Sequence, residues 1–426
     1  MLDVTLIRQQ PEQVREALRK RAVDADLPAF LALDARFRET RTTVERLRGE
    51  RKRISAEIAA HRRTGTAADD DDLQATATAL ADQVTEAEAE LAQLAREHQQ
   101  FLDALPNLPD EDVIAGGKEN NEVVRTVGAP RPDLAPRDHV QLAQDLGLVD
   151  YRRGAALAGS GHWIYRGDGA ALEWALLNHF LDSHRRAGYE FVLPPHLLTY
   201  EAGYTAGQFP KFADEVFAVE EGEGGRPERF LLPTAETALV NLYRGETLDE
   251  AELPRKYVAY TPCYRKESGS HRTADRGTLR GHQFNKVELF QFARPADSDT
   301  AQLELLARAE ELVAGLGLHY RVTKLAAGDT SPAQAKTYDV EVWLPSLGAY
   351  TEVSSVSNAR EYQARRGGIR YSPEGGGKTA YVHTLNASGL ATSRLLPAIL
   401  EQHQRPDGTV VVPEVLRRWG LPDLLA

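Results

Sequence analysis

From Phe30 to Ile58 a stripe of positions recurs at steps of three and four: Phe30, Leu33, Phe37, Thr40, Val44, Leu47, Arg51, Ile54 and Ile58. After a break at TGTAADDDD the same stepping returns through Leu73, Ala77, Leu80, Val84, Ala87, Leu91, Leu94, His98 and Phe101. A period near 3.5 predicts two helices whose seams face each other. We therefore expect an antiparallel coiled-coil hairpin over about residues 27–103, each arm roughly 50 Å long at 1.5 Å per residue. Residues 1 to about 26 read as a short helical lead-in, with Pro11 where a first helical turn tolerates it.

Past residue 105 the period changes. Pro106, Pro109, Gly116 and Gly117, then the irregular run Ala129 to His139, predict a linker over 106–140 ahead of a second domain at 141–426. An amphipathic helix follows over about 170–187. The next strand ends at Pro194 and Pro195, which suits an edge because proline cannot donate to a central ladder. EGEGGRPE, Glu221 to Glu228, reads as a hairpin turn. Strands then dominate: RFLLPTAE, YVAYTPCYRKE, HQFNKVELFQF, YRVTKL, YDVEVWLP, AYTEVSSVS and TAYVHTLN, interrupted by a helix over about 297–315 and closed by the helix GLATSRLLPAILEQHQ. Runs of strands without strict βαβ alternation predict an α+β fold with a mainly antiparallel sheet flanked by helices.

Polar residues interleave with this apolar pattern in one stretch above all, Tyr264 to Phe292. Arg265 and Glu267 stand two apart, and Phe284, Lys286 and Glu288 alternate with Asn285, Val287 and Leu289. Strand side chains alternate with period two, so each set is expected on one sheet face. An antiparallel hairpin with one solvated face explains any single case. Thr234 with Glu236, and Asn386 with Ser388, repeat the spacing, and several such faces point to a polar pocket built on a sheet.

Composition narrows the classes. The 426 residues, 42% of them hydrophobic, can bury a core in two or three domains. A net charge of −12 argues against a general nucleic-acid binder, but the charge is unevenly spread. Arg36 to Arg63 carries ten Lys or Arg against four Glu, and Asp69 to Glu97 nine acids against one Arg. A rod with one basic side can follow a phosphate backbone, although a spacer or dimerisation stalk is the commoner use of heptads. Cys263 is the one cysteine, which excludes intrachain disulfides and thiolate zinc clusters and fits a reducing cytoplasm. The start has the pattern of neither a secretory signal nor a membrane span. GGGKT at Gly375 to Thr379 fails as a P-loop: Ser372 stands where the first glycine belongs, and AYVHTL after it reads as a strand.

The order of a helical hairpin, TAE, YRKESG to HQFNKVE, and LNASGLATSR resembles seryl-tRNA synthetase of the bacterial type, a class II aminoacyl-tRNA synthetase, over essentially the whole chain. The resemblance implies the class II antiparallel sheet, a homodimer with Pro195 of GYEFVLPPHLL at its interface, and an N-terminal domain, residues 1–105, that binds tRNA. It implies a catalytic role for Arg265 and Arg394. It implies serine contacts from Thr234, Ala235, Glu236, Arg265, Glu288, Asn386 and Ser388. For ATP it implies Arg265, Lys266, Glu267, Gly281, Phe284, Glu352, Val353, Ser354, Ser355 and Arg394, with Mg2+ held near Glu352 and Ser355. The partners implied are L-serine, tRNA(Ser) and tRNA(Sec), and the location is the cytoplasm, off the membrane. The sequence departs from the family pattern at Ser268, at the loop His271 to Asp275 and at Ala387. An activating paralogue that loads another acceptor, or a non-catalytic nucleotide sensor, are the competing readings. The long arm counts against the first, and the joint presence of Arg265, Glu288 and Arg394 against the second.

Overall fold

Alternating apolar and polar residues need a sheet with one face covered, and the computed structural model, which describes residues 1–64, 70–131, 136–267 and 276–426, builds one. Its strands are β1 (Glu122–Val127), β2 (Glu190–Val192), β3 (Arg255–Tyr264), β4 (Gln283–Ala293), β5 (Tyr320–Lys324), β6 (Lys336–Leu344), β7 (Ala349–Arg360) and β8 (His383–Ala391). They lie in the order β1-β5-β6-β7-β8-β4-β3-β2, antiparallel at every step except β2 beside β3. The helices used below are α1 (Leu27–Thr64), α2 (Asp70–Ala104), α3 (Asp168–Arg186), α4 (Ser298–Gly315) and α5 (Thr392–His403).

Register decides which face each residue takes. Glu288 pairs with Ser388, Phe290 with Asn386, and Asn386 with Ser357, so these polar groups share a face across β4, β8 and β7. The intervening residues Val287, Leu289, Val356, Leu385 and Ala387 are buried in one cluster with Leu172, Leu176 and Phe180 of α3, Leu305 and Leu312 of α4, and Leu395 and Ile399 of α5. Burying each large side chain contributes about 1.5–3 kcal/mol, so this face fixes the register on which the polar face depends.

The chain forms two compact units, one comprising 2–18 and 23–106, the other Met1, 19–22 and 107–426. In the first, α1 and α2 form the expected hairpin. Phe30, Val44, Leu47, Ile54 and Ile58 of α1 and Val84, Leu94 and Leu102 of α2 are buried. Arg51, on the predicted stripe, is exposed instead, since a guanidinium without a partner gains nothing from the seam. Phe30 stacks on Phe101 at 4.5 Å, and Arg48 bridges to Glu88 at 2.7 Å. Asp34 is fully buried. Burial alone would raise its pKa, but hydrogen bonds from Arg8, Arg38 and His98 bring it down to about 2.

Several elements differ from expectation. The stretch read as a linker carries β1, an edge strand exposed along its whole length, and without a buried side it leaves no alternation to read. β3 stops at Tyr264, so Arg265 and Glu267 lie beyond the strand, and Glu267 has φ 53°. The PTAE segment is no strand either: after Pro227–Leu231 the chain turns into a short helix, Glu236–Leu239, because Pro233 cannot continue a ladder. β8 runs through Ala391, so the last helix starts at Thr392 rather than at GLA. Ser268 and the 271–275 loop, like part of the inter-helix break, lie outside the described residues.

Candidate active site

The polar face of β4, β7 and β8 opens into a cavity of about 450 Å³ lined by Thr234, Glu236, Arg265, Glu267, Lys286, Gln334, Glu352, Ser355, Ser357, Asn386 and Ser388 among others. A smaller recess of about 80 Å³ shares Arg265, Glu267, Lys286, Glu352 and Ser388 with it, and adds Gly281, Phe284, Val353 and Arg394. The two therefore adjoin across these residues.

One end of the large cavity is a network of buried amides and carboxylates. Glu236 Oε1 accepts from Gln363 Nε2 at 2.7 Å and from Gln334 Nε2 at 3.1 Å. Asn386 Nδ2 donates to Glu288 Oε1 at 3.1 Å, and Lys286 Nζ sits 2.6 Å from Glu288 Oε2 while donating to Thr234 Oγ1 at 2.6 Å. Burial, and secondarily the charge of Glu288, push the Glu236 carboxyl up to about 7. This carboxyl borders open volume and is matched to a cationic ligand, which would restore its ionised form. A small cavity walled by fixed donors and acceptors rejects ligands that leave them unpaired.

The other end suits an anion with a flat apolar group. Arg265 donates from Nε to Pro233 O at 3.2 Å, and its guanidinium lies 5.2 Å from the Phe284 ring centroid. Arg394, on the first turn of α5, donates from Nε to Leu279 O at 3.2 Å and from Nη1 to Glu352 O at 2.9 Å. Gly281 must be glycine, because a Cβ there would lie 2.2 Å from the Trp163 ring. Two arginines flanking one space can neutralise a polyphosphate.

Divalent metal fits the same region. The Glu352 carboxylate and Ser355 hydroxyl face the cavity, and β6 places Asp339 opposite Ser355 with its Oδ1 buried and without a hydrogen-bond partner. Burial and nearby Glu352 raise the Asp339 carboxyl well above the usual range. No cluster of three or more His, Cys, Asp or Glu ligands occurs among the described residues. Mg2+ suits such a site, since it takes one or two carboxylates and completes its shell with phosphate oxygens and water.

Residues 217–403 match the family model of the tRNA synthetase class II core domain (G, H, P, S and T), and residues 1–109 that of the seryl-tRNA synthetase N-terminal domain. The serine–tRNA ligase 2 of Clostridium acetobutylicum is 54% identical over 426 residues, covering 100% of both chains. The chain belongs to the seryl-tRNA synthetase family. The crystal structure of seryl-tRNA synthetase from Pyrococcus horikoshii complexed with ATP superposes with a TM-score of 0.90 at 33% identity, covering 100% of this chain and 99% of that one. The cytoplasmic serine–tRNA ligase from Naegleria fowleri in complex with AMP does so at 0.85 and 30% identity, covering 100% and 98%. The class II fold and the helical arm expected from the sequence are those of this family.

Of the residues singled out in the sequence, the structure brings Thr234, Glu236, Arg265, Glu267, Gly281, Phe284, Glu352, Val353, Ser355, Asn386, Ser388 and Arg394 onto the two adjoining cavities. Ala235, Glu288 and Ser354 lie fully buried, and Lys266 is exposed; none of the four lines either cavity. Glu288 instead contacts Lys286 and Asn386, both of which line the larger cavity. Sequence reasoning passed over Lys286, although its place in the Phe284–Glu288 alternation was the signal. It also missed Gln334 and Gln363, which sit in a patternless loop and a short helix, Tyr362–Gly367, where no periodicity could mark them.

Proposed function

We propose that this member of the seryl-tRNA synthetase family activates L-serine with ATP and passes the seryl group to the 3′ end of tRNA(Ser), and to tRNA(Sec). The observation that carries this reading is the shared wall of the two cavities: a buried acidic end that suits a small ammonium with a hydroxyl, adjoining a two-arginine end that suits a nucleotide. Glu236 and Thr234 receive the amino group, and Asn386 and Ser388 are polar partners for the small side chain. Arg265 brings the serine carboxylate onto the α-phosphate, a role supported by its bordering both spaces.

Attack of one anion on another builds charge in line, so positioning and neutralisation supply the catalysis and no covalent nucleophile is required. The oxygen of the serine carboxylate forms a bond to the α-phosphorus while the bond to pyrophosphate breaks. Arg265 and Arg394 offset the negative charge. Mg2+ held at Glu352 and Ser355 would neutralise phosphate charge as a Lewis acid. In the second step the ribose hydroxyl of the terminal adenosine attacks the seryl carbonyl and AMP leaves.

The arm supplies the tRNA contact: Arg51, Lys52 and Arg53 on α1 are exposed and make no ion pair among the described residues. The reading includes a homodimer, which the apolar side chains left exposed on and after α3, Trp174 at 56% and Leu193 at 70%, support. A mass in solution of one chain at working concentration would contradict it. No helix among the described residues is long and apolar enough to cross a membrane, and a cytoplasmic site of action suits a tRNA substrate. Charging of unfractionated tRNA across all amino acids tests the function: serine alone should be attached, and attachment of another amino acid in its place would refute the assignment.

A further inference from the structure

The wall of the amino-acid end that presents Ser331, Ala333 and Gln334 is a loop, and loops of this kind hold a geometry only if something ties their backbone. Two side chains do so here, and they come from the opposite end of the sequence. Arg21 is buried, and its Nη1 donates to Ala327 O at 3.0 Å and Thr330 O at 2.9 Å while its Nη2 donates to Gln334 O. Asn107, also buried, donates from Nδ2 to Ala333 O at 3.0 Å and Ala359 O at 2.8 Å, and its backbone N–H to Pro332 O at 2.7 Å. Between them they satisfy five carbonyls from Ala327 to Gln334. Burial lowers the Arg21 guanidinium only to about 10, so it stays charged at neutral pH and its hydrogen bonds keep their charge-assisted strength.

What the loop holds matters to the ligand. Gln334 Nε2 donates to Glu236 Oε1 at 3.1 Å and to Asn386 Oδ1 at 3.3 Å, one residue at each side of the acidic end. A shift of the loop by an ångström breaks both contacts and frees both side chains. Among the described residues, none that line the recess holding Phe284 and Arg394 is hydrogen-bonded by Arg21 or Asn107. The two residues also sit at notable points of the chain: it leaves the sheet-bearing unit just after Arg21 and Ala22, and returns to it at Asn107.

We propose that Arg21 and Asn107 are positioning residues for amino-acid binding: by pinning the 327–334 backbone they hold Gln334 against Glu236 and Asn386, and so set the affinity for serine while leaving the nucleotide end alone. The inference rests on the cavity being the serine site. It adds that residues of the sheet-bearing unit that flank the helical insertion in sequence, rather than the class II sheet alone, complete that site.

The test is steady-state ATP–pyrophosphate exchange by the full-length protein, with no tRNA present, so that arm and tRNA effects do not enter. Exchange by the unaltered protein that depends on serine establishes the site itself; its absence refutes the proposed function and not the role of Arg21. Given that activity, Arg21→Met and Asn107→Ala should each raise KM for serine about tenfold, with KM for ATP and kcat held within about twofold. Arg21→Lys, which keeps the charge but cannot span three carbonyls, should fall between. Lys20→Ala should match the unaltered protein, since Lys20 bonds Glu111 O and Val113 O and not the loop. Should Arg21→Met fail to fold, Asn107→Ala and Arg21→Lys carry the test. Folded variants with an unchanged serine KM, or with both KM values raised equally, would overturn the proposal.

Discussion

Glu236 shows most directly how one residue's surroundings become function. Its carboxyl is raised to about 7 by burial and by Glu288, yet an ammonium ligand needs it ionised. A raised carboxyl is protonated below its pKa, so kcat/KM for serine should climb as pH rises through about 7 and level off above it. Glu236→Gln should remove that limb and lower kcat/KM for serine by about 10- to 100-fold, because a charge-assisted contact is lost. A variant that kept the same limb would assign the titration elsewhere. The sequence made Glu236 legible through its spacing from Thr234, but for a reason that the fold does not share. The two residues lie on a turn into a short helix, not on a strand, and they meet in the cavity because Pro233 ends the strand just before them. Gln334 was illegible for the opposite reason: its position depends on carbonyl contacts to residues hundreds of positions away, which leave no local pattern.

At the scale of elements, β4 and β8 were readable because their buried face is apolar at every second residue, and the site inherits its register from that face. The joint between elements was not. Glu173 of α3 is buried, and its Oε1 accepts from Asn285 of β4 at 2.8 Å and from Thr392 of α5 at 2.5 Å, tying together the helix, the strand with Lys286 and the helix with Arg394. Burial raises this carboxyl to about 7 against 4.5 when exposed. The folded state thus holds a proton that the unfolded chain releases, so the stability this contributes is full below pH 4.5 and is lost as pH rises through about 7. Glu173→Gln keeps the shared acceptor and is always neutral. Relative to the unaltered protein it should gain stability between pH 4.5 and pH 8, on the order of 1–3 kcal/mol. Denaturant unfolding at the two pH values checks this, and a difference independent of pH would show Glu173 to be ionised throughout.

The whole molecule combines a sheet that gathers small ligands with a two-helix arm whose charge is segregated along the sequence. Both were visible in the sequence, the arm because heptads are the strongest periodic signal a chain can carry. The edge strand β1 was not, since it buries neither side, and its apparent linker composition hid a role in the sheet. Division of labour between the units predicts that removing residues 36–93, the part of the hairpin beyond the level at which Arg36 and Glu90 bridge α1 and α2, leaves amino-acid activation within about threefold. Charging of tRNA should be abolished, and normal charging by the shortened protein would refute the role of the arm. The most direct trial of the central claim, that the adjoining cavities unite serine with ATP, is pyrophosphate exchange by the intact protein without tRNA, each amino acid offered in turn. We expect exchange with serine and background with alanine, which leaves the polar wall unpaired; exchange with no amino acid, or equally with alanine, would contradict the account.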